Sequence, residues 1–439
     1  MSLSSRRACT ATARAALAGA ALSCAVLVVH RAQAASWDFN PRVEVGAEYN
    51  DNYRLAPVDV PKIPAYGSIA DVSFSERLLD PRYEIDISPR VHNTFFPDDH
   101  TDQSTDGYLD VSGHYNTQRA TFGGLISYAN ETVIASELLT ASFPGLGLGQ
   151  TTGEETGLVS FHNRRVLERF LPNMSYDFSP RWHLKAEGEY ENASFSHNVI
   201  EQQGLSSNVF AQEGFKDYYL KGGVQYDFSQ RYDLVTSITG AKFLPDGSPT
   251  TTERYGAEWQ FEGRPNQILQ YYARIGVNEV HAHTLVDGNI DKTLVVGGAG
   301  VTWTYQLSQY TIDAIRDLSP SAGGAVVQHD EVRGRMLKAL TPRLYTVFAA
   351  RYVRVRGASD TILGVVGSDY AAGSAALQYQ ITRNYRLQGE YDYTWQHFQG
   401  EPTSHANGVT LSVIWQPLSR YNPIPDYNRL PLDRDRATK

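Results

Sequence analysis

The feature that most constrains this chain is a two-residue alternation of apolar and polar side chains, held over long runs and repeated along most of its length. Between Arg42 and Asn50, Val43, Val45, Ala47 and Tyr49 fall on one face, and Arg42, Glu44, Gly46 and Glu48 on the other. Tyr83, Ile85 and Ile87 oppose Arg82, Glu84 and Asp86; Leu184, Ala186, Gly188 and Tyr190 oppose Lys185, Glu187 and Glu189. Tyr255, Ala257, Trp259 and Phe261 oppose Arg254, Glu258 and Gln260, and Tyr385, Leu387, Tyr391 and Tyr393 oppose Arg386, Glu390 and Asp392. A period of two is the signature of an extended strand with unlike faces. The runs are roughly ten to fourteen residues, against about five or six in an ordinary globular strand and about nine to eleven in a tilted strand that crosses a bilayer. A charge facing lipid at mid-membrane costs about 2–4 kcal/mol, so the charged face has to look inward, onto water.

A short turn motif punctuates these runs. Tyr176-Asp177-Phe178-Ser179-Pro180-Arg181-Trp182 returns fifty residues later as Tyr226-Asp227-Phe228-Ser229-Gln230-Arg231-Tyr232. Looser copies stand at Tyr305–Ile312, Ala339–Tyr345, Tyr379–Leu387 and Leu79–Ile85. Ser, Thr, Asp and Pro supply tight-turn chemistry, and aromatics on both shoulders suit a membrane interface. Turns are expected near residues 80, 118, 180, 230, 264, 309, 342 and 383. Longer polar connections are read at Leu55–Ser68, Phe96–Ser104, Glu131–Asn163, Ser196–Gly214, Leu244–Thr251, His281–Asp291 and Gln396–His405. The fold class expected is therefore all-β: a transmembrane antiparallel up-and-down β-barrel of about 18 strands, with 16 as the alternative count, short periplasmic turns and long extracellular loops. Two strands fit poorly. Arg343–Arg356 puts Arg351 on the face that Tyr345, Val347 and Val353 would give to lipid, which calls for a bulge or a reversed phase, and Leu125–Asn130 is ambiguous.

Composition narrows the class further. Arg6, Arg7 and Arg14 precede an apolar stretch from Ala15 to Val29 and a small-residue site at Ala32-Gln33-Ala34, the pattern of a secretory signal peptide over 1–34. The barrel is then 35–417, followed by a Pro- and charge-rich periplasmic tail over 418–439. Both cysteines, Cys9 and Cys24, fall in the leader, which removes disulfides, thiolate metal sites and cysteine nucleophiles from the rest. The leader takes four of the 39 basic residues and none of the 48 acidic ones, so 35 against 48 leaves −13 in place of −9. That balance argues against nucleic acid as a partner.

Candidate sites are few. The pore-lining face is expected to carry Arg42, Glu44, Glu48, Arg82, Glu84 and Asp86 from the first runs, and Lys185, Glu187, Glu189 and Lys221 from the middle. Arg254, Glu258, Arg274, Arg333, Arg335, Arg386, Glu390 and Asp392 complete it. These charges keep a lumen wet and pair across strands, or act as a selectivity lining. Arg333 and Arg335, with Arg354 and Arg356, could form a basic rung for an anionic polymer. Asp98-Asp99-His100-Thr101-Asp102 offers hard oxygen ligands for Ca²⁺ or is a solvated acidic loop. His281 and His283 share a strand face without a legible third ligand, and Asp287-Gly288-Asn289 reads as a turn. No Gly-x-Ser-x-Gly or other nucleophile context is present. No catalytic residue, cofactor or metal is assigned. Asn407, Gly408, Leu411, Val413 and Trp415 match the pattern of a last strand read by barrel-assembly machinery.

At Trp37-Asp38-Phe39-Asn40-Pro41, at Tyr49-Asn50-Asp51-Asn52-Tyr53 and at Ser179-Pro180-Arg181-Trp182 the chain resembles the porin-like outer-membrane barrels associated with exopolysaccharide export and PEP-CTERM/exosortase systems, the VpsM/EpsL type. The resemblance covers the whole barrel in architecture, but in motif only the opening strand and the turns. It implies a barrel of about eighteen strands in the outer membrane of a Gram-negative cell, serving as an exit conduit for an exopolysaccharide or as a passage for small solutes. It also implies contact with lipopolysaccharide and a separate periplasmic polysaccharide-export partner. A general diffusion porin is the alternative, and a barrel enzyme or structural surface protein the alternative of another class.

Overall fold

The computed structural model describes residues 36–417 apart from 54, 60, 63, 98–102, 134–163, 197–212, 248–250, 285–287, 358–366 and 401. The expected leader, the Asp98–Asp102 loop, most of Glu131–Asn163 and the C-terminal tail lie outside these residues. Eighteen strands follow one another. They are β1 (Ser36–Asn50), β2 (Ala65–Leu79), β3 (Tyr83–Phe95), β4 (Ser104–Asn116), β5 (Ala120–Thr132) and β6 (Arg164–Asp177). Next come β7 (Trp182–Phe195), β8 (Phe215–Ser229), β9 (Tyr232–Pro245), β10 (Thr251–Gly263), β11 (Leu269–Thr284) and β12 (Gly288–Tyr305). The last are β13 (Ser308–Ser321), β14 (Ala325–Thr341), β15 (Leu344–Gly357), β16 (Ser368–Gln380), β17 (Tyr385–Phe398) and β18 (Ser404–Trp415). Each pairs antiparallel with the next in sequence, and β1 pairs with both β2 and β18, from Val43↔Trp415 to Asn50↔Gly408. The sheet is thus a closed 18-stranded barrel, in which no strand edge is left along its membrane circumference at β1.

The alternation read in the sequence sorts the two faces. Ile126, Leu220, Ile238, Ile275 and Leu411 stand exposed on the outside, Ile238 at 71%. Aromatics ring the outer face at both ends: Trp37, Tyr115, Trp182, Trp303 and Tyr385 near the short turns, and Tyr66, Tyr218, Tyr255, Tyr352 and Tyr391 toward the other end. This is an apolar band between aromatic girdles, the outer surface of a barrel that spans a bilayer. The short turns use the predicted chemistry. Ser179 Oγ accepts the backbone N–H groups of Arg181 and Trp182 at 3.3 and 3.1 Å. Thr341 does the same for Arg343 and Leu344, and Thr382 for Asn384 and Tyr385, the last turn residue and first strand residue in each case.

Four expectations need correction. The face of β15 that carries Tyr345, Val347 and Val353 points inward, so Arg351 points inward with it and binds Glu331 at 2.9 Å. A register shift between Ala339 and Thr341 marks the β14–β15 turn where the phase reverses. Arg354 and Arg356 accordingly face outward. Arg354 pairs with Asp369 at 2.7 Å just above the Tyr352 girdle, so neither belongs to an inner basic rung. Arg82 is a turn residue whose N–H reaches Asp80 Oδ1 at 3.0 Å, because the chain turns one residue before the alternation resumes. Finally, the His281–Asp291 segment continues the β11–β12 ladder to Thr284↔Gly288 rather than forming a loop. In the ambiguous β5 segment, Ile126 and Tyr128 face out, while Ser127 faces in and donates to Asp110 at 2.6 Å.

Candidate functional site: the inner wall

The inner wall is built by every second residue of each strand. In the β17–β18–β1–β2–β3 sector, Arg42 donates to Glu44 at 2.5 Å and approaches Asp71 at 3.5 Å. Asp71 also accepts Arg90 at 2.6 Å and lies 3.2 Å from His92 Nδ1. Ser412 ties Glu44 to β18 at 2.6 Å, Gln388 donates to Glu390 at 3.0 Å, and Arg386 donates to Gln416 at 2.6 Å. Glu48 and Glu390 both stand level with Thr410, and Asp392 with Gly408, which gathers carboxylates on one stretch of wall. Glu84 and Asp86 share the Arg77 guanidinium at 3.0 and 3.1 Å.

The opposite sector pairs its charges more fully. Arg169 holds Glu189, and Glu191 at 3.3 Å. Lys221 and Arg274 both reach Glu258, at 3.1 and 3.8 Å. Arg254 grips Asp217 with Nη2, at 2.8 and 2.7 Å to the two carboxylate oxygens, and Arg333 binds Asp313 at 3.4 Å. Arg335 lies on the same face of β14 as Arg333. Lys185, Glu187, Lys221 and Gln260 surround a small pocket between β7 and β10. The structure therefore places these sequence-chosen residues on the inner face, Arg82 apart. Many are hidden from solvent: Glu258 is 4% exposed, and Glu44, Arg386 and Glu390 8% each. Inner side chains cover one another, so the lumen is narrowed by its own lining.

Several wall residues were missed by the sequence reading. Asp71, Asp217, Asp313 and Arg169 are partners of the chosen Arg42, Arg254, Arg333 and Glu189, and Glu331 is the partner of Arg351, which the alternation had put toward lipid. Arg165 and Glu131, 2.5 Å apart and almost fully buried, sit at the end of β5–β6, where β5 takes in Glu131 and Thr132 from the segment read as a loop. A rule that every inward charge needs an opposite charge on the next strand would have flagged them. The histidines do not converge: His281 Nδ1 meets Asp291 at 2.7 Å, and His283 Nδ1 meets Asn289 at 2.8 Å. Among the described residues no group of three or more His, Cys, Asp or Glu is placed to hold a metal. In β18, Leu411 and Val413 face out, and Asn407 binds Asp51 on the far side of the closing seam at 2.7 and 2.8 Å.

The end opposite the short turns is filled. The β12–β13 ladder stops at Gly297↔Arg316; beyond it β13 parts from β12 and the tip of the β13–β14 hairpin bends into the lumen, while β14 stays paired with β15 as far as Val327↔Gly357. Ala322 O accepts the backbone N–H of Glu213 at 2.8 Å, Leu318 O accepts Arg254 Nη1 at 2.9 Å, and Asp317 binds Arg274 at 2.6 Å. Leu318, Ala322 and Val326 pack into an apolar cluster with Phe215, Phe243, Val280 and Val296. The next residue, Val327, belongs to a second cluster with Tyr53, Phe96, Val353 and Tyr370. An apolar layer thus lies across the mouth above the charged wall, joined along β14. The sequence hinted at it only through Pro320-Ser321-Ala322-Gly323-Gly324, a turn signal not assigned to a loop.

No protein-family model and no curated protein matches the chain. Among solved structures it is similar to OccAB2 of Acinetobacter baumannii, with a TM-score of 0.42 and 10% identity over 86% of this chain and 98% of that one. OccK3 (OpdO) of Pseudomonas aeruginosa gives 0.44 and 10% over 87% and 96%. OccK2 (OpdF) of the same organism, in complex with glucuronate, gives 0.42 and 10% over 87% and 99%. At such distance function has to be argued from this chain's own geometry.

Proposed function

We propose that the protein is an outer-membrane channel for small hydrophilic solutes. The observation that carries this reading is the inner wall: a continuous lining of acids and bases, paired across strands, inside a sleeve whose outside is apolar. Such a lining holds water and screens passing charge. The apolar layer across the mouth, with Phe215, Leu318 and Val326 in one cluster and Tyr53, Phe96 and Tyr370 in the other, favours small solutes over a broad conduit, because it narrows the passage. The resemblance to exopolysaccharide-export barrels suggests a polymer exit beside a periplasmic partner instead. Lipopolysaccharide and barrel-assembly machinery are the partners that either reading requires.

Liposome swelling separates the two. The purified barrel is expected to pass monosaccharides several-fold faster than trisaccharides. A deletion strain is expected to keep its secreted polymer and to lose small-solute uptake. Equal rates for all sugar sizes, with polymer output abolished in the deletion strain, would favour the export reading.

A further inference from the structure

One strand of the wall has two places to go. β11 pairs with β12 all the way to Gly288, but β13 pairs with β12 only as far as Gly297. From Ile290 to Val296, no strand among the described residues pairs with β12 on the β13 side. The upper part of β13 instead lies in the lumen, where Leu318 is 9% exposed although Ile312, Ala314 and Arg316, on the same face of the strand, point outward. Continuing the observed register would set Asp317 against Val296 and Leu318 against Val295.

We propose that the β13–β14 hairpin is the channel's gate, moving between the lumen seat described above and a wall seat along the free edge of β12; this rests on the channel reading. In the lumen seat the hairpin gains the burial of Leu318, Ala322 and Val326 and the three polar ties from Glu213, Arg254 and Arg274. In the wall seat it gains ladder hydrogen bonds and gives up that cover. Pro320 has no N–H to offer a neighbouring strand, which limits the ladder and keeps the wall seat from holding the hairpin permanently. Gly324, at φ +75°, makes the tight return that lets the tip fit beside Glu213. Because the hairpin tip buries Leu318, Ala322 and Val326 in one apolar cluster, and Val327 beside it, paired with Gly357 of β15, belongs to the other, departure of the tip opens the layer across the mouth. Two alternative partners for one element are what a discrete switch needs.

Paired cysteines test it, since the chain's own Cys9 and Cys24 precede β1 and the barrel carries no thiol. Glu213→Cys with Ala322→Cys locks the lumen seat; Val295→Cys with Leu318→Cys locks the wall seat. Heat-modifiable gel migration and mass spectrometry establish that each variant is folded and oxidised before recording in planar bilayers. The oxidised lumen lock is expected to lower open probability at least about tenfold and reduction to restore it, while the oxidised wall lock stays open. An oxidised lumen lock that conducts like its reduced form overturns the gate and leaves the channel standing. Failure of the folded wall pair to oxidise overturns the second seat. Silence of both pairs in both redox states overturns gate and channel together.

Discussion

At the scale of single residues, the inner wall is a set of charges that must be matched where they are buried. Arg351 and Glu331 lie 2.9 Å apart with side chains 8% and 9% exposed. Removing one partner strands the other, which costs about 3–5 kcal/mol, whereas replacing both by apolar residues is close to neutral. Arg351→Leu is therefore expected to lower stability by about that amount in urea unfolding from phospholipid vesicles, and the Arg351→Leu/Glu331→Leu pair to recover most of it.

At the scale of elements, the eight short turns and the facing of most strands were legible because both follow from local rules. Ser179, Thr341 and Thr382 fold their own turns, and alternation carries the face along the strand. Ile238 and Ser237 are neighbours in β9 and show what that facing is worth: one is 71% exposed to the outside, the other buried within. Ile238→Arg is expected to cost about 2–4 kcal/mol in reversible unfolding from lipid. Ser237→Arg, turned toward Lys185 and Gln260 at the wall, is expected to cost distinctly less; equal costs would mean that the faces are misassigned. The phase of β15 was not legible, since Tyr345, Val347 and Val353 read as a lipid face. All three point inward instead, and Val353 joins a layer built with Tyr53, Phe96 and Tyr370, residues far away in the chain.

At the scale of the whole molecule, the barrel exists only when its ends meet. β1 and β18 join over Val43–Asn50, and Asn407 and Gln416 reach across the seam to Asp51 and Asn40. Deleting β18 is expected to abolish the heat-modifiable band, because two strands would then present unpaired backbone to lipid. The sequence by itself determined the strand period, the turns, the near-count of strands and the outward apolar band, since each depends on neighbours within a few residues. Only the tertiary structure decided which charges pair between strands, that the tip of the β13–β14 hairpin leaves the wall, and that apolar side chains close the mouth. Those contacts join residues far apart in the chain, and an apolar residue in an alternating run carries no mark of whether its neighbour will be lipid or the far side of its own barrel.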